Sequence, residues 1–278
     1  MTTGVSAGAE AGAAPQAGPA YVSVRGVGKT FERAGRRTEA LAALDLEIRR
    51  GEFVAVVGPS GCGKSTLLRL IAGLVAPTRG EVVVDGRPVR GALTDIGVVF
   101  QSPVLLDWRT VLDNVLVQVE LRGLDPRAYR ARALQLLARV GLGDFTDRRP
   151  RELSGGMRQR TAIVRALIHD PPFLMMDEPF GALDALTREQ MRLDLEKIWL
   201  DTQKTVLFIT HSIDEAVLLA DRVIVMSARP GRIEREIAIT MPRPRGLAAR
   251  QDAQFIHTAH DITELFLARG VLHQADTV

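Results

Sequence analysis

Glu52-Phe-Val-Ala-Val-Val57 runs straight into Gly58-Pro59-Ser60-Gly61-Cys62-Gly63-Lys64-Ser65-Thr66. An apolar run of this length, closed by turn residues, predicts a strand buried on both faces. Ser65–Leu74 then carries a helical pattern. A glycine-rich turn joining such a strand to such a helix is built to hold phosphate. The glycines let backbone N–H groups approach phosphate oxygens with no Cβ in the way, and the helix offers its positive dipole end to the anion. Lys64 supplies a point charge for β- and γ-phosphates, and the Ser65 hydroxyl can ligate Mg²⁺. Gly58 through Thr66 are therefore candidate nucleotide-binding residues. Cys62, inside the loop, reads as a small filler with no redox role.

Outward from this loop, strand and helix patterns alternate. Tyr21–Val24 and Ala43–Ile48 alternate apolar and polar residues, as half-buried strands do. Glu81–Val84, Ile96–Phe100, Phe173–Met176, Thr205–Ile209 and Val223–Met226 read as further strands. Met157–His169, Arg188–Trp199 and Ile213–Ala220 read as helices. From Val111 to about Val140 the period is helical throughout, and Asp125-Pro126 and Arg149-Pro150 mark breaks at its flanks. The pattern predicts an α/β fold: a P-loop NTPase core with a mostly parallel sheet, an antiparallel β subdomain, and a helical subdomain inserted at about 102–160. Residues 21–240 form the main domain in this reading, and 1–20 are an Ala/Gly/Pro-rich disordered tail. PRPRG at 242–246 reads as a linker into a short helical extension, 241–278, whose Phe255, Ala259, Ile262 and Phe266 share one face.

Composition narrows the setting. The 278 residues are 46% hydrophobic and 25% charged, the balance of a globular protein. One cysteine excludes a disulfide framework and a cysteine-built zinc site, and fits a reducing, cytoplasmic compartment. No apolar run approaches the ~18–20 residues needed to cross a bilayer, and the N-terminal stretch lacks the charge and apolar block of a secretory signal. The net charge is +3, and Lys29, Lys64, Lys197 and Lys204 are the only lysines among 36 basic residues. Acidic residues are interspersed with the arginines, so a nucleic-acid partner is not expected.

Two more motifs choose among phosphate-loop machines. Phe173-Leu-Met-Met-Asp177-Glu178 is an apolar strand delivering two carboxylates to its edge. Asp177 suits the Mg²⁺ shell; Glu178, one step on, faces away from that ion and suits activation of an attacking water. Leu153-Ser154-Gly155-Gly156-Met157-Arg158-Gln159-Arg160 opens a helix with free N–H groups, which on its own is either a plain helix cap or a second anion site. His257 and His260, at i and i+3 with no third ligand nearby in sequence, read as a solvated helix face.

LSGGMRQR, together with the order phosphate loop, Gln101, signature, MMDEP and His211, resembles the ATP-binding subunits of ABC transporters over roughly Tyr21 to Ile233. Among subfamilies, VFQSPVLLDWRTVLDNV, MDEPFGALDALTR and VLFITHSIDEAVLLADRVIVMSARPGRI look most like nitrate/sulfonate/taurine-type importers. The resemblance implies ATP and Mg²⁺ as cofactors and ATP hydrolysis as the activity. It implies that Phe31, just after a strand and a turn, stacks on adenine, that Gln101 touches Mg²⁺ and the water, and that His211 contacts the γ-phosphate. It implies a pair of ATPase subunits in which Ser154, Gly155 and Gly156 of one close ATP on the loop of the other, with Asp184 crossing the seam. This chain has one loop and one signature, so the second set comes from another copy or a second subunit.

The resemblance further implies membrane permease subunits as partners, a solute-binding protein acting through them, and a peripheral place on the inner face of the membrane. Leu105, Leu106 and Trp108, an apolar knot after Gln101, are the expected permease contacts, or else cap the helical subdomain's own core. Asp107, Val164 and Ser212 depart from the subfamily's usual proline, alanine and aspartate. About 45 residues follow Ile233, and no large regulatory module is expected among them. An ABC ATPase acting on DNA or ribosomes would show a coiled-coil insert or two cassettes, and a non-hydrolysing sensor would not need Glu178 and His211.

Overall fold

In the computed structural model, residues 20–33 and 35–271 are described; the tail reading, Ala20 excepted, lies outside them. The strand before the phosphate loop, β3 (Phe53–Val57), is buried at every residue and sits centrally in a six-stranded sheet. It pairs in parallel with β8 (Thr205–Thr210) and β9 (Arg222–Met226). β8 pairs in parallel with β7 (Phe173–Asp177), and β7 with β6 (Ile96–Val99). β10 (Ile233–Ala238) adds an antiparallel edge beside β9.

Period-two alternation explains the continuous apolar runs. Phe53, Ala55 and Val57 pack into one core with Val206, Phe208, Leu174 and Met176. Val54 and Val56 face a second core on the other side, with Leu207, Ile209, Phe173 and Met175. Each strand residue is thus committed to one of two apolar layers, as a doubly covered parallel sheet requires. One layer is closed by α5 (Ala185–Thr202), α6 (Ile213–Leu219) and α7 (Ala253–Ala268), the other by α1 (Lys64–Ile71) and a second sheet.

That second sheet is antiparallel, in the order β2 (Arg36–Arg49), β1 (Ala20–Arg33), β4 (Arg79–Val84), β5 (Arg87–Pro88). β1 and β2 run 14 residues each, far past the short alternating stretches expected. Register shifts at Val24/Val27 and Val27/Lys29 carry them on; such bulges break the strict alternation that marks a strand in sequence. Phe31 consequently lies within β1, opposite Thr38, rather than beyond a strand and a turn.

The helical block is two helices, α2 (Val111–Leu121) and α3 (Pro126–Arg139). Asp125-Pro126 is no outer flank: Asp125 caps α3 by accepting from Arg127 N, with Pro126 in the first turn. These helices close over Leu153, Val164 and Ile168 in a core of their own, where α4 (Gly155–Leu167) joins them to the sheet. Val164, fully buried there, gives the departure from alanine a packing role.

The stretch 242–246 is not a loose linker. Arg245 is 2% exposed, and its guanidinium donates to the Ala220 and Val217 carbonyls at the end of α6 (2.5 and 3.1 Å) and to Met241 O (3.0 Å). Its own N–H donates to Glu196 at 2.6 Å, and its carbonyl accepts from Arg192 at 2.8 Å. Arg243 lies 4.2 Å over the Trp199 ring. Burial pushes Arg245 down to about 10, so it stays charged at neutral pH, stabilised by otherwise orphaned helix-end carbonyls. Phe255, Ile262 and Phe266 of α7 then join the main core, with Ala259 against it. Replacing Arg245 by methionine strands several buried carbonyls; we expect a loss of about 3 kcal/mol, seen as thermal unfolding about 6–10 °C lower. An unchanged midpoint would show the guanidinium to be dispensable.

Candidate functional site

Parallel pairing puts the C-terminal ends of four strands in register: Val57 opposite Thr210, Asp177 opposite Ile209, Val99 opposite Met176. The residues just past these ends therefore meet along one edge of the sheet, the usual place for a ligand in such a fold. A cleft of about 270 Å³ opens there, lined by Phe31, Gly61, Lys64, Ser65, Glu178 and Arg229, among others.

The phosphate loop is held open by its glycines. Gly63 has φ 108°, and a Cβ on it would fall 2.6 Å from the Leu41 side chain and 2.9 Å from Ala40 O; no other residue fits. Lys64, 5% exposed, donates through Nζ to Gly58 O (2.8 Å) and Pro59 O (3.1 Å). An ammonium has three donors, so one remains for a phosphate oxygen. Cys62 is buried beneath the loop, and burial pushes its thiol up, as suits an inert filler.

Ser65 Oγ donates to Asp177 Oδ1 at 3.0 Å. Burial raises the Asp177 carboxyl above its ordinary value; the Ser65 bond opposes this and the neighbouring Glu178 charge adds to it. Two oxygens about 3 Å apart are adjacent ligands of an octahedral ion with metal–oxygen distances of about 2.1 Å, so this pair fits Mg²⁺. Among the described residues no cluster of three or more His, Cys, Asp and Glu could hold a metal. The other ligands would be phosphate and water, as Mg²⁺ prefers.

Glu178 follows at φ 46°, a left-handed backbone that costs energy for a non-glycine residue. Its N–H donates to Ile209 O at 2.8 Å. The turn swings its side chain away from Ser65 and toward Gln101 and His211. Gln101 Nε2 donates to Glu178 Oε2 at 3.1 Å, and His211 Nδ1 lies 3.4 Å from the same oxygen. Gly181 passes close by, its Cβ position 3.7 Å from the Gln101 amide and 3.8 Å from the His211 ring.

Phe31 is 40% exposed at the mouth of the cleft, with Lys29 Nζ 5.0 Å from its ring centroid. Ser154 caps α4 by accepting from Met157 N at 3.3 Å, and Asp184 caps α5 through Thr187 N at 3.0 Å. Ser154, Gly155, Gly156 and Asp184 are absent from the cleft lining. Of the expected permease contacts, Trp108 stands 72% exposed, whereas Leu105 and Leu106 are half-buried. His257 and His260 lie exposed on α7.

Sequence reasoning missed two elements. Asn114, fully buried in α2, accepts from Leu106 N (2.7 Å) and donates to the Leu106, Arg109 and Thr110 carbonyls, fixing the loop after Gln101. A lone amide among Val111, Val115 and Leu116 was the available signal. The second is the turn between β9 and β10, which brings Arg229 to the cleft.

Residues 41–181 match the family described as ABC transporter. The chain belongs to that family. An uncharacterised ABC transporter ATP-binding protein of Methanocaldococcus jannaschii is 51% identical over 224 residues, 81% of this chain and 84% of that one. The taurine import ATP-binding protein TauB of Rhizobium johnstonii is 47% identical over 245 residues, 88% and 93% of the two chains. The solved bacterial ABC transporter cassette MJ0796, a dimer, superposes with a TM-score of 0.71 at 35% identity, covering 80% of this chain and all of that one. A post-hydrolysis state of the same cassette with ADP and Pi gives 0.70. The chain is an ABC-type ATPase that binds nucleotide.

Because the Asp177 carboxyl is raised, the folded state favours its protonated form. Its contribution to stability is present at low pH and lost as pH rises through the folded value. At neutral pH the bare carboxylate is a cost. Asp177→Asn is therefore expected to raise the unfolding midpoint of the nucleotide-free protein by about 1–3 °C while lowering ATPase activity. A lowered midpoint would contradict this account of the site.

Proposed function

We propose that this chain energises an importer for a small anionic solute of the nitrate, sulfonate or taurine kind, working as a pair on the cytoplasmic face of membrane permease subunits. A solute-binding protein would act on those subunits from the other side. One observation carries the paired part of this reading: the chain carries one phosphate loop, Gly58–Thr66, and one signature, Ser154, Gly155 and Gly156, and the signature is not among the residues lining the cleft. Each copy thus offers two half-sites, and a second copy supplies the missing half to each. The dimeric MJ0796 cassette and the TauB relatives support it.

In this reading Phe31 stacks on adenine and the loop Gly58–Thr66 cradles the phosphates. Lys64 gives its remaining N–H to the β/γ region. Ser65 and Asp177 would hold Mg²⁺, which when bound supplies charge neutralisation at the phosphates, and Gln101 reaches the same region. Glu178 takes a proton from the attacking water; Gln101 and His211 hold its carboxylate in position. His211, whose Nδ1 lies 3.4 Å from Glu178 Oε2, keeps Nε2 for the γ-phosphate. Asp184 packs across the seam. ATP binds the closed pair better than the open one, and the difference moves the membrane subunits.

The permease docks beside the loop that follows Gln101. A groove of about 350 Å³ lies there, lined by Leu74, Leu93, Val98, Phe100 and Leu121. Leu74, Phe100 and Leu121 are exposed at its rim, and Trp108 is exposed in the adjoining loop. Arg165 donates to the Pro103 and Val104 carbonyls at 2.7 and 2.8 Å, so this loop is held rigidly between groove and Gln101. Among the described residues no helix is long and apolar enough to cross a membrane, which leaves that task to the partner.

Glu178→Gln should lower turnover by at least about 100-fold with ATP affinity kept, and should sediment as a dimer with saturating Mg·ATP. Near-normal turnover would remove Glu178 from the mechanism, and a persistent monomer, alone and on its membrane complex, would remove the pair. Lys64→Ala should instead weaken equilibrium binding of an ATP analogue by on the order of tenfold. Unchanged affinity there would sink the assigned loop.

A further inference from the structure

We propose that Arg229 is a second cationic ligand for the phosphates of the bound nucleotide, beside Lys64. This rests on reading the cleft as the ATP site. The β9–β10 turn, Ser227 to Arg232, is tied down at both ends. Ser227 N donates to Arg232 O (2.9 Å), and Arg232 N donates to Ser227 Oγ (3.0 Å). Gly231 N donates to Ala40 O (3.0 Å), and Ala42 N donates to Gly231 O (3.1 Å), fastening the turn to β2. Gly231 presses so closely on the phosphate loop that a Cβ would fall 2.1 Å from Cys62 O. The turn and the loop therefore move as one body, and Arg229 has a fixed origin.

From there Arg229 enters the lining of the cleft with Phe31, Thr38, Lys64 and Glu178. Its Nε donates to Gly61 O at 3.2 Å, which orients the guanidinium against the loop. Among the described residues no carboxylate pairs with it, and its two terminal nitrogens make no hydrogen bond. The contrast with Arg222, paired to Glu52 and Glu236, and with buried Arg245 is chemical: those forks are used by the protein, and this one is unspent. The cleft needs the charge. Lys64 already gives two of its three donors to carbonyls, while Asp177 and Glu178 bring negative charge to the same place. A guanidinium fork with free N–H groups matches phosphate oxygens in pairs. As a structural strut its single exposed bond to Gly61 O would contribute little.

The test is equilibrium titration of the full chain with a fluorescent ATP analogue, in the Glu178→Gln background so that hydrolysis does not interfere. Arg229→Gln is expected to weaken binding on the order of tenfold, and Arg229→Lys by no more than about threefold. The Arg229→Gln protein should also show a shallower fall of affinity with salt, and without nucleotide should unfold within about 1 °C of its parent. If Arg229→Gln binds like its parent while Lys64→Ala does not, the cleft keeps its assignment and this proposal falls. If neither change weakens binding, the ATP site itself is misplaced and the proposal falls with it. Weaker binding with an unaltered salt dependence would trace the loss to loop distortion and would overturn the charge role.

Discussion

The site depends on the register of four parallel strands. β3, β8 and β7 are buried on both faces, so a slip of one residue would turn Phe53, Phe208 or Met176 from one apolar layer into the other. That penalty fixes the register, and the register fixes where each strand stops. Lys64, Asp177, Glu178 and His211 come from segments far apart in the chain. They meet because their strands end level. The chemistry is loaded onto turns, where backbone freedom allows Gly63 at φ 108° and Glu178 at φ 46°, while the rigid sheet holds those turns in place.

Two layers of polar locking refine that frame. Ser65 and Asp177 bond each other across the loop and strand end, and Glu178 accepts from Gln101 through the oxygen that faces His211. Further out, Asn114 and Arg165 bond the backbone of residues 103–110. A displacement of that loop by a membrane partner would thus be felt at Gln101, only two residues before the pinned carbonyls. Close coupling of this kind needs no long chain of intermediates.

Most of the fold and the phosphate chemistry was legible in the residues because both follow local rules. A buried strand, a glycine turn and a helix are contiguous in 52–74, and the apolar run 173–176 announces Asp177 and Glu178 by adjacency. The failures were of a different sort. β1 and β2 escaped full recognition because bulges near Gly26 break their alternation, and β10 because its half-exposed edge carries Glu234, Arg235 and Glu236 among few apolar residues. Arg229 could not be assigned to the cleft from sequence, since only the pairing of Gly231 with Leu41 brings its turn to the loop. Phe31, Gln101 and His211 became readable through resemblance, not through spacing alone.

The buried arginines after β10 bear on where this polypeptide can be cut. Proline and arginine at 242–245 have the composition of a dispensable connector, and a designer seeking a minimal cassette would end the chain there. Arg243 covers Trp199, and Arg245 gathers the last carbonyls of the helix that begins two residues after His211. A trimmed version ending at Thr240 would bare an aromatic face and a ring of unsatisfied oxygens in one stroke, at the end of the sheet opposite the histidine that faces Glu178. The sensible boundary for a shortened protein lies no earlier than Val271, which still packs against the core that Phe266 joins.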